Sequence, residues 1–366
     1  MDHDLPNRDG PASRPHSPPQ VAGADLLPEV EAPSAGFILQ LFVVPALIVI
    51  VVFLIWLLFS WLVHRTTMNP EELIQGLQSS SVARWQRASE LADLLRNERY
   101  AEIRQNPAAA AKLAAILDRE LDAAESSGGT NEEAVMLRFF LCRALGEFCV
   151  TEGFDVLIKA ATTDRGPDDQ FVRRGAIQAI AVRVFNLSQL DPPQGVSGSE
   201  LESALQSLAG DDDDLIRSET AYALGRIGTP ASLTQLESMV DDPHTDTRYN
   251  AAVALAEHGN SQAVDTLAEM LDPLEMESVR QEGNEPAQFY KRGLIMTSAL
   301  EAVEALASQS SGTDFSDVIE VLERVVRADA EQLHAARIRP AIVGRAEQVS
   351  KLLQARASEN ASQPPR

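Results

Sequence analysis

The stretch Leu215-Ile216-Arg217-Ser218-Glu219-Thr220-Ala221-Tyr222-Ala223-Leu224-Gly225-Arg226-Ile227-Gly228 returns 31 residues later as Asp246-Thr247-Arg248-Tyr249-Asn250-Ala251-Ala252-Val253-Ala254-Leu255-Ala256-Glu257-His258-Gly259. Arg, Ala, Ala, Leu and the closing Gly hold equivalent places. The continuation agrees as well, with Leu233, Leu236, Met239 and Val240 answered by Val264, Leu267, Met270 and Leu271. A repeat of this length has room for two short helices and their turns, the unit of a stacked array.

Working outward, the Arg serves as an anchor, and apolar or glycine residues four, seven, eight and eleven positions later fall on one helical stripe. Arg84, Arg138, Arg173, Arg217, Arg248 and Arg292 satisfy this rule. With roughly half of all residues counting as matches, about one Arg in sixteen would pass by chance, far fewer than six among 27. The loop-like segments 126–130, 191–198 and 281–286 take up the unequal spacing. An amphipathic helix precedes most anchors, as in 154–161, 201–208, 232–240 and 263–271. One helical pair cannot cover its own apolar stripe, so neighbours must stack. Segment 317–355 breaks the rule at Arg345, contains Pro340 and reads as a terminal cap.

The pattern Arg-x3-Ala-x-Ala-Leu-Gly behind a short acidic turn resembles HEAT-like repeats of the kind also found in phycobilisome lyases. The likeness is strongest over 211–272, fair over 132–186 and weakest at 70–100 and 287–355. It implies an α-solenoid that binds other proteins and carries no catalytic mechanism, because the shared positions are packing positions. A membrane-tethered lyase-type enzyme or cofactor-binding protein is the alternative from another class.

The N-terminal residues 1–36 hold seven prolines and few large apolar side chains, and are expected to be a disordered tail. Residues 37–63 then carry no charge over 27 positions, roughly 40 Å of helix against a hydrocarbon core of about 30 Å. This reads as a retained transmembrane helix, since a basic region ahead of a short apolar run, the mark of a cleaved signal, is missing. Trp56 and Trp61 suit an interfacial belt, with His64 and Arg65 as the first polar anchor. Residues 64–69 form a juxtamembrane linker, 70–355 the solenoid and 356–366 a disordered C-terminal tail. The expected fold is all-α, an α-solenoid of HEAT-like helical pairs preceded by one transmembrane helix and a disordered tail. Arg65, Arg84 and Arg87 follow the span, while residues 16–35 contain no Lys or Arg, which favours a cytoplasmic C-terminal domain.

Composition narrows the function. The 366 residues carry 31 Lys plus Arg against 54 Asp plus Glu, a formal charge of -23. Nucleic acid is excluded as a partner, since its phosphates are bound by basic surfaces that release counterions. The expected partners are a protein and, through one helix, a bilayer. Cys142 and Cys149 are read as one helix; seven residues of rise is roughly 10 Å, too far for a disulfide, so both are buried thiols. The six histidines share no ligand spacing, and no HExxH, CxxC or phosphate-cradling Gly-Lys occurs. No catalytic residue, metal ligand or cofactor is expected. The anchor arginines read as a structural ladder received by acidic inter-helix turns, whose Asp residues also cap the next helix.

Positions two, five and nine after an anchor point away from the stripe. They supply the candidate partner-binding residues Phe140, Arg143, Gln178, Glu219, Tyr222, Arg226, Asn250 and Glu257. Phe140, Tyr222 and Arg226 stand out as large or forked side chains on a face of small ones. A merely solvated face with occasional aromatics is the competing reading.

Overall fold

The computed structural model describes residues 34–65, 69–78, 83–127, 131–164, 166, 169–195 and 198–362. The expected tail at 1–33 and the side chains of Trp61, His64 and Arg65 lie outside what it describes. Two compact units divide the chain, Met1–Thr67 and Met68–Arg366.

In the first unit, α1 (Ala35–Arg65) runs two residues past the expected span at each end and contains Pro45. Its stretch Phe42–Ser60 is 19 residues long, apolar enough to cross a membrane by length and composition, and has no side chain buried within the structure. Trp56 is exposed, its ring 5.8 Å from that of Phe53.

The second unit is helical throughout, and no strand occurs among its described residues. Helices α2 (Pro70–Gly76) and α3 (Arg84–Leu95) form the first pair. After the short α4 (Ala101–Arg104) come α5 (Pro107–Ser127) with α6 (Glu132–Gly146), α7 (Phe154–Thr162) with α8 (Gln170–Ser188), and α9 (Ser199–Leu208) with α10 (Asp214–Ile227). Next, α11 (Pro230–Met239) pairs with α12 (Thr245–Glu257). Then α13 (Val264–Leu271) pairs with α15 (Glu285–Gln309), across the short α14 (Glu277–Arg280). Finally α16 (Ser316–Arg327) pairs with α18 (Pro340–Ser362), across α17 (Ala330–Ala335). Each second helix packs on the second helix of the next pair, in the order α3, α6, α8, α10, α12, α15, α18. The first helices make the other layer. This is the α-solenoid that the repeat implies.

Local signals set the helix starts. Asn69, Asn131, Asp213, Thr229 and Asn284 lie at N-caps and accept backbone N–H groups of the following turn, with Pro70 and Pro230 at the first helical position. Gly228 closes α10 in the left-handed region at φ 63° and donates its N–H to Leu224 O at 3.0 Å. The anchor stripe is the core. Leu91, Leu95, Cys142, Leu145, Ile177, Ala221, Ala252, Leu255, Met296 and Leu300 are all fully buried.

The second helices approach closely because small residues meet between them. A Cβ on Gly146 would lie 2.8 Å from the Ala179 Cα, and one on Gly225 would lie 2.5 Å from the Ala254 Cβ. Gly293, inside α15, has open space where its Cβ would stand. Gly293→Ala should therefore raise stability by about 0.5–1 kcal/mol, the ordinary helix-interior gain. A lower unfolding midpoint would contradict that assignment.

Three expectations need correction. Cys142 and Cys149 do not share a helix, because α6 ends at Gly146; Cys149 follows in a turn, where its N–H donates to Arg104 O at 2.8 Å. Both thiols are free and buried. Segment 356–366 is not all tail. Its first seven residues continue α18, held by Arg356 Nη2 donating to Ser310 O at 2.7 Å. Positions two, five and nine after an anchor are not uniformly open. Glu147 and Gly175 are buried: the Phe139 ring covers Gly175, and Glu147 follows the end of α6 and pairs with Arg96 at 3.0 Å.

Candidate partner-binding groove

The anchor arginines reach into inter-helix turns. Arg84 Nη2 bonds Glu120 at 2.8 Å and its Nε donates to Leu77 O at 2.9 Å. Arg138 and Asp169, 2% and 3% exposed at their side chains, meet at 3.1 Å. Arg173 holds Ala161 O and the Asp211 carboxylate. Arg217 grips both oxygens of Asp242, at 2.7 and 3.0 Å, and the carbonyl of Asp211. Arg248 bonds Asp242 O at 2.8 Å and Glu269 at 2.7 Å; Arg292, fully buried, takes Glu275 and Asp272 O. Each guanidinium thus fastens turns within or between neighbouring pairs, a task its planar fork suits.

Burial raises the Asp242 carboxyl, but hydrogen bonds from Arg217 and from the His244 amide outweigh it and hold the group below its usual range. Asp211 is held low in the same way, by Arg173 and the Asp213 amide. Unfolded, such carboxyls titrate near about 3.9. Their stabilising share is complete above that value and is lost as pH falls through the lower folded values. The unfolding midpoint should therefore drop below about pH 4, and Asp242→Asn should flatten part of the drop. A midpoint that rises on acidification contradicts this sign.

Sequence reasoning missed Arg183. It is fully buried ten residues after the Arg173 anchor, donates to Val150 O at 2.7 Å and to Glu152 O, and lies 4.7 Å from the Phe154 ring. Burial pushes its guanidinium down to about 10. No other anchor has an Arg at that spacing, so nothing in the repeat pointed to it. Burial also raises the Cys142 thiol well above its usual value, with Asp169 adding to the shift. Cys142 should resist iodoacetamide until the chain unfolds; rapid labelling in the folded state would refute its burial.

The eight candidate binding residues divide into two places. Phe140 stacks 6.2 Å from Trp85 and lies 5.2 Å from Phe139, whose ring stacks 4.1 Å from Phe171. Arg143 lies 5.6 Å from the Phe140 ring and 3.7 Å from Asp93. Gln178 Nε2 donates to Glu219 at 2.6 Å, and Arg174 approaches the same oxygen at 3.5 Å. These four residues fasten α3 to α6 and α8 to α10, and the Phe139–Phe171 stack joins α6 to α8.

Tyr222, Arg226, Asn250 and Glu257 line one groove of about 670 Å³, floored by α12 and walled by α10 and α15. Arg226 lies 5.1 Å over the Tyr222 ring and 3.2 Å from Glu257. Asn250 Nδ2 donates to Ser218 O at 3.0 Å and to its Oγ at 3.1 Å. The opposite wall brings Lys291, Leu294, Ser298 and Glu301 from α15. Lys291 is paired with Asp246 at 3.1 Å and Glu282 at 3.6 Å. Leu294 and Glu301 stand two and nine residues after Arg292, so the rule that found the α10 and α12 residues would also have found them. A second hollow, along α3, is lined by Trp85, Gln86, Ser89, Glu90, Asp93 and Leu94. Among the described residues no group of His, Cys, Asp and Glu could hold a metal ion.

Residues 181–246 match the family model for HEAT repeats, and residues 247–273 that for PBS lyase HEAT-like repeats. The matched residues run from the second half of α8 through α13 and include both copies of the quoted stretch. No curated protein matches the chain. Among solved structures, an archaeal HEAT-like repeats protein from Thermococcus onnurineus NA1 is 20% identical, with a TM-score of 0.41, covering 80% of this chain and 99% of that one. An engineered protein is 15% identical, with a TM-score of 0.30, covering 77% and 98%.

Proposed function

We propose that this HEAT-like repeat chain is a single-pass membrane-anchored scaffold, without catalysis of its own, whose cytoplasmic solenoid binds a protein partner in the groove over α12. The observation that carries this reading is the convergence of repeat-face positions from three successive helices on one hollow, with Tyr222 42% and Leu294 52% exposed on its two walls. Exposed aromatic and aliphatic side chains flanking a recess are what a partner's anchor residues need. Arg226 and Lys291 are paired with carboxylates of the groove, an arrangement suited to recognition rather than proton transfer. The apolar exposed surface of α1 supports the tether. The positive bias after α1 supports the orientation.

A photo-crosslinking side chain placed at Tyr222 of the full-length chain in cells should give a defined protein adduct, while one at Thr234, exposed on α11 in the other layer, should give none. Equal adducts at both sites, or none at Tyr222, reject the groove. A reporter that fluoresces only in the cytoplasm, fused after Arg366, should light up at membranes; a dark reporter reverses the orientation.

A further inference from the structure

Three features of the groove specify its occupant. First, its polar backbone is closed. The floor and walls are helices whose amides and carbonyls bond within themselves, and the described residues of the solenoid offer no sheet edge for an added strand. Both Nδ2 protons of Asn250 on the floor are already donated to Ser218 O and Oγ, so its amide cannot make the paired donor-and-acceptor clamp on an extended peptide's backbone without breaking one of those bonds. An occupant must therefore satisfy its own backbone, as a helix does.

Second, apolar surface lies midway along the groove. Tyr222 and Leu294 are exposed side chains on its two walls, with half-buried Val253 on the floor between their helices. The floor from Asp246 to Glu257 covers twelve residues and about 17 Å of rise, which accommodates about three turns of a second helix.

Third, the remaining charge is negative. Both cations of the groove are neutralised from within, Lys291 by Asp246 and Glu282, and Arg226 by Glu257. Glu301 has no hydrogen bond or ion pair among the described residues, and it is exposed. The whole chain, at -23, steers a basic partner toward it.

We infer that the groove over α12 receives a basic amphipathic helix of a partner protein, its apolar stripe between Tyr222 and Leu294 and a Lys or Arg against Glu301. This rests on the protein-binding reading above and specifies its chemistry. The occupant's apolar residues recur at helical spacing, and its basic residues flank them.

The test uses the full-length chain in detergent micelles and three fluorescent 14-residue probes, with binding to empty micelles subtracted. One probe places Leu at i, i+3, i+4, i+7 and i+11 with flanking Lys; the second has the same composition with the spacing scrambled; the third replaces every Lys by Glu. The first should bind at least tenfold more tightly than either of the others. Leu294→Asp should weaken it at least tenfold and Glu301→Lys about fivefold, while Glu90→Lys, on α3 outside the groove, should change it less than twofold. Circular dichroism would confirm that each variant retains its helices. Equal binding of the scrambled probe overturns the helical occupant, and loss of the Leu294 effect overturns the location. Preference for the Glu probe with the Leu294 effect intact overturns the basic partner and leaves a protein-binding groove standing. Absence of binding by all three probes overturns the inference, and the Tyr222 crosslink then decides the broader reading separately.

Discussion

Asp169→Ala is expected to destabilise the solenoid by about 3–5 kcal/mol, the cost of leaving one charge of a buried pair uncompensated. Arg138 and Asp169 are 2% and 3% exposed at their side chains, and no bulk water can replace the lost carboxylate. The Arg138 Nε has no hydrogen-bond partner among the described residues, so the guanidinium has little to fall back on. The strain should be local to α6 and α8, which pack directly on one another. Hydrogen exchange should show these helices opening first, with a lower midpoint in urea. Adding Arg138→Leu should restore much of the loss, because removing both charges removes the unpaired one as well. A double variant as unstable as Asp169→Ala alone would mean that Asp169 acts through its place before α8 rather than through Arg138.

Gly146→Val should cost about 3 kcal/mol, the upper end of what overpacking a close-fitted interior costs. The nearest atom to a new Cβ is the Ala179 Cα at 2.8 Å, and backbone cannot turn aside as a flexible side chain can. Even Gly146→Ala should be destabilising, opposite in sign to Gly293→Ala. Thermal unfolding of the three variants beside the parent chain checks both signs at once. Equal stability of Gly146→Val and the parent would show that α6 and α8 can move apart freely.

The stripe and the anchors were legible because both repeat in sequence at the period of a helix. Arg217, Ala221 and Leu224 predict their own counterparts Arg248, Ala252 and Leu255, whatever lies around them. The groove was half legible. Tyr222, Arg226, Asn250 and Glu257 came from the same register, and Leu294 and Glu301 obey it too. What the register could not state is that the α15 wall faces the same hollow as α10 and α12, since that depends on how the helices pack. Glu147 and Gly175 failed for another reason. They stand in the outward register, yet the stacked Phe139 and Phe171 rings cover Gly175, and Glu147, just past the end of α6, is drawn in against Arg96 at 3.0 Å. Cys149 was misplaced because helical periodicity persists in the letters after the backbone has left the helix at Gly146.

The amino-acid order by itself determined that this chain is built from helical pairs that must stack, that an apolar segment precedes them, and that its net charge is strongly acidic. Those conclusions depend on period and composition, which each residue carries without its neighbours in space. Only the tertiary structure decided which outward positions converge, which acids receive each arginine, and why glycine stands where α6 meets α8 and α10 meets α12. Convergence and close approach depend on distances between helices far apart in the chain, and a repeat can state the spacing of its own residues but not how near its neighbour will lie.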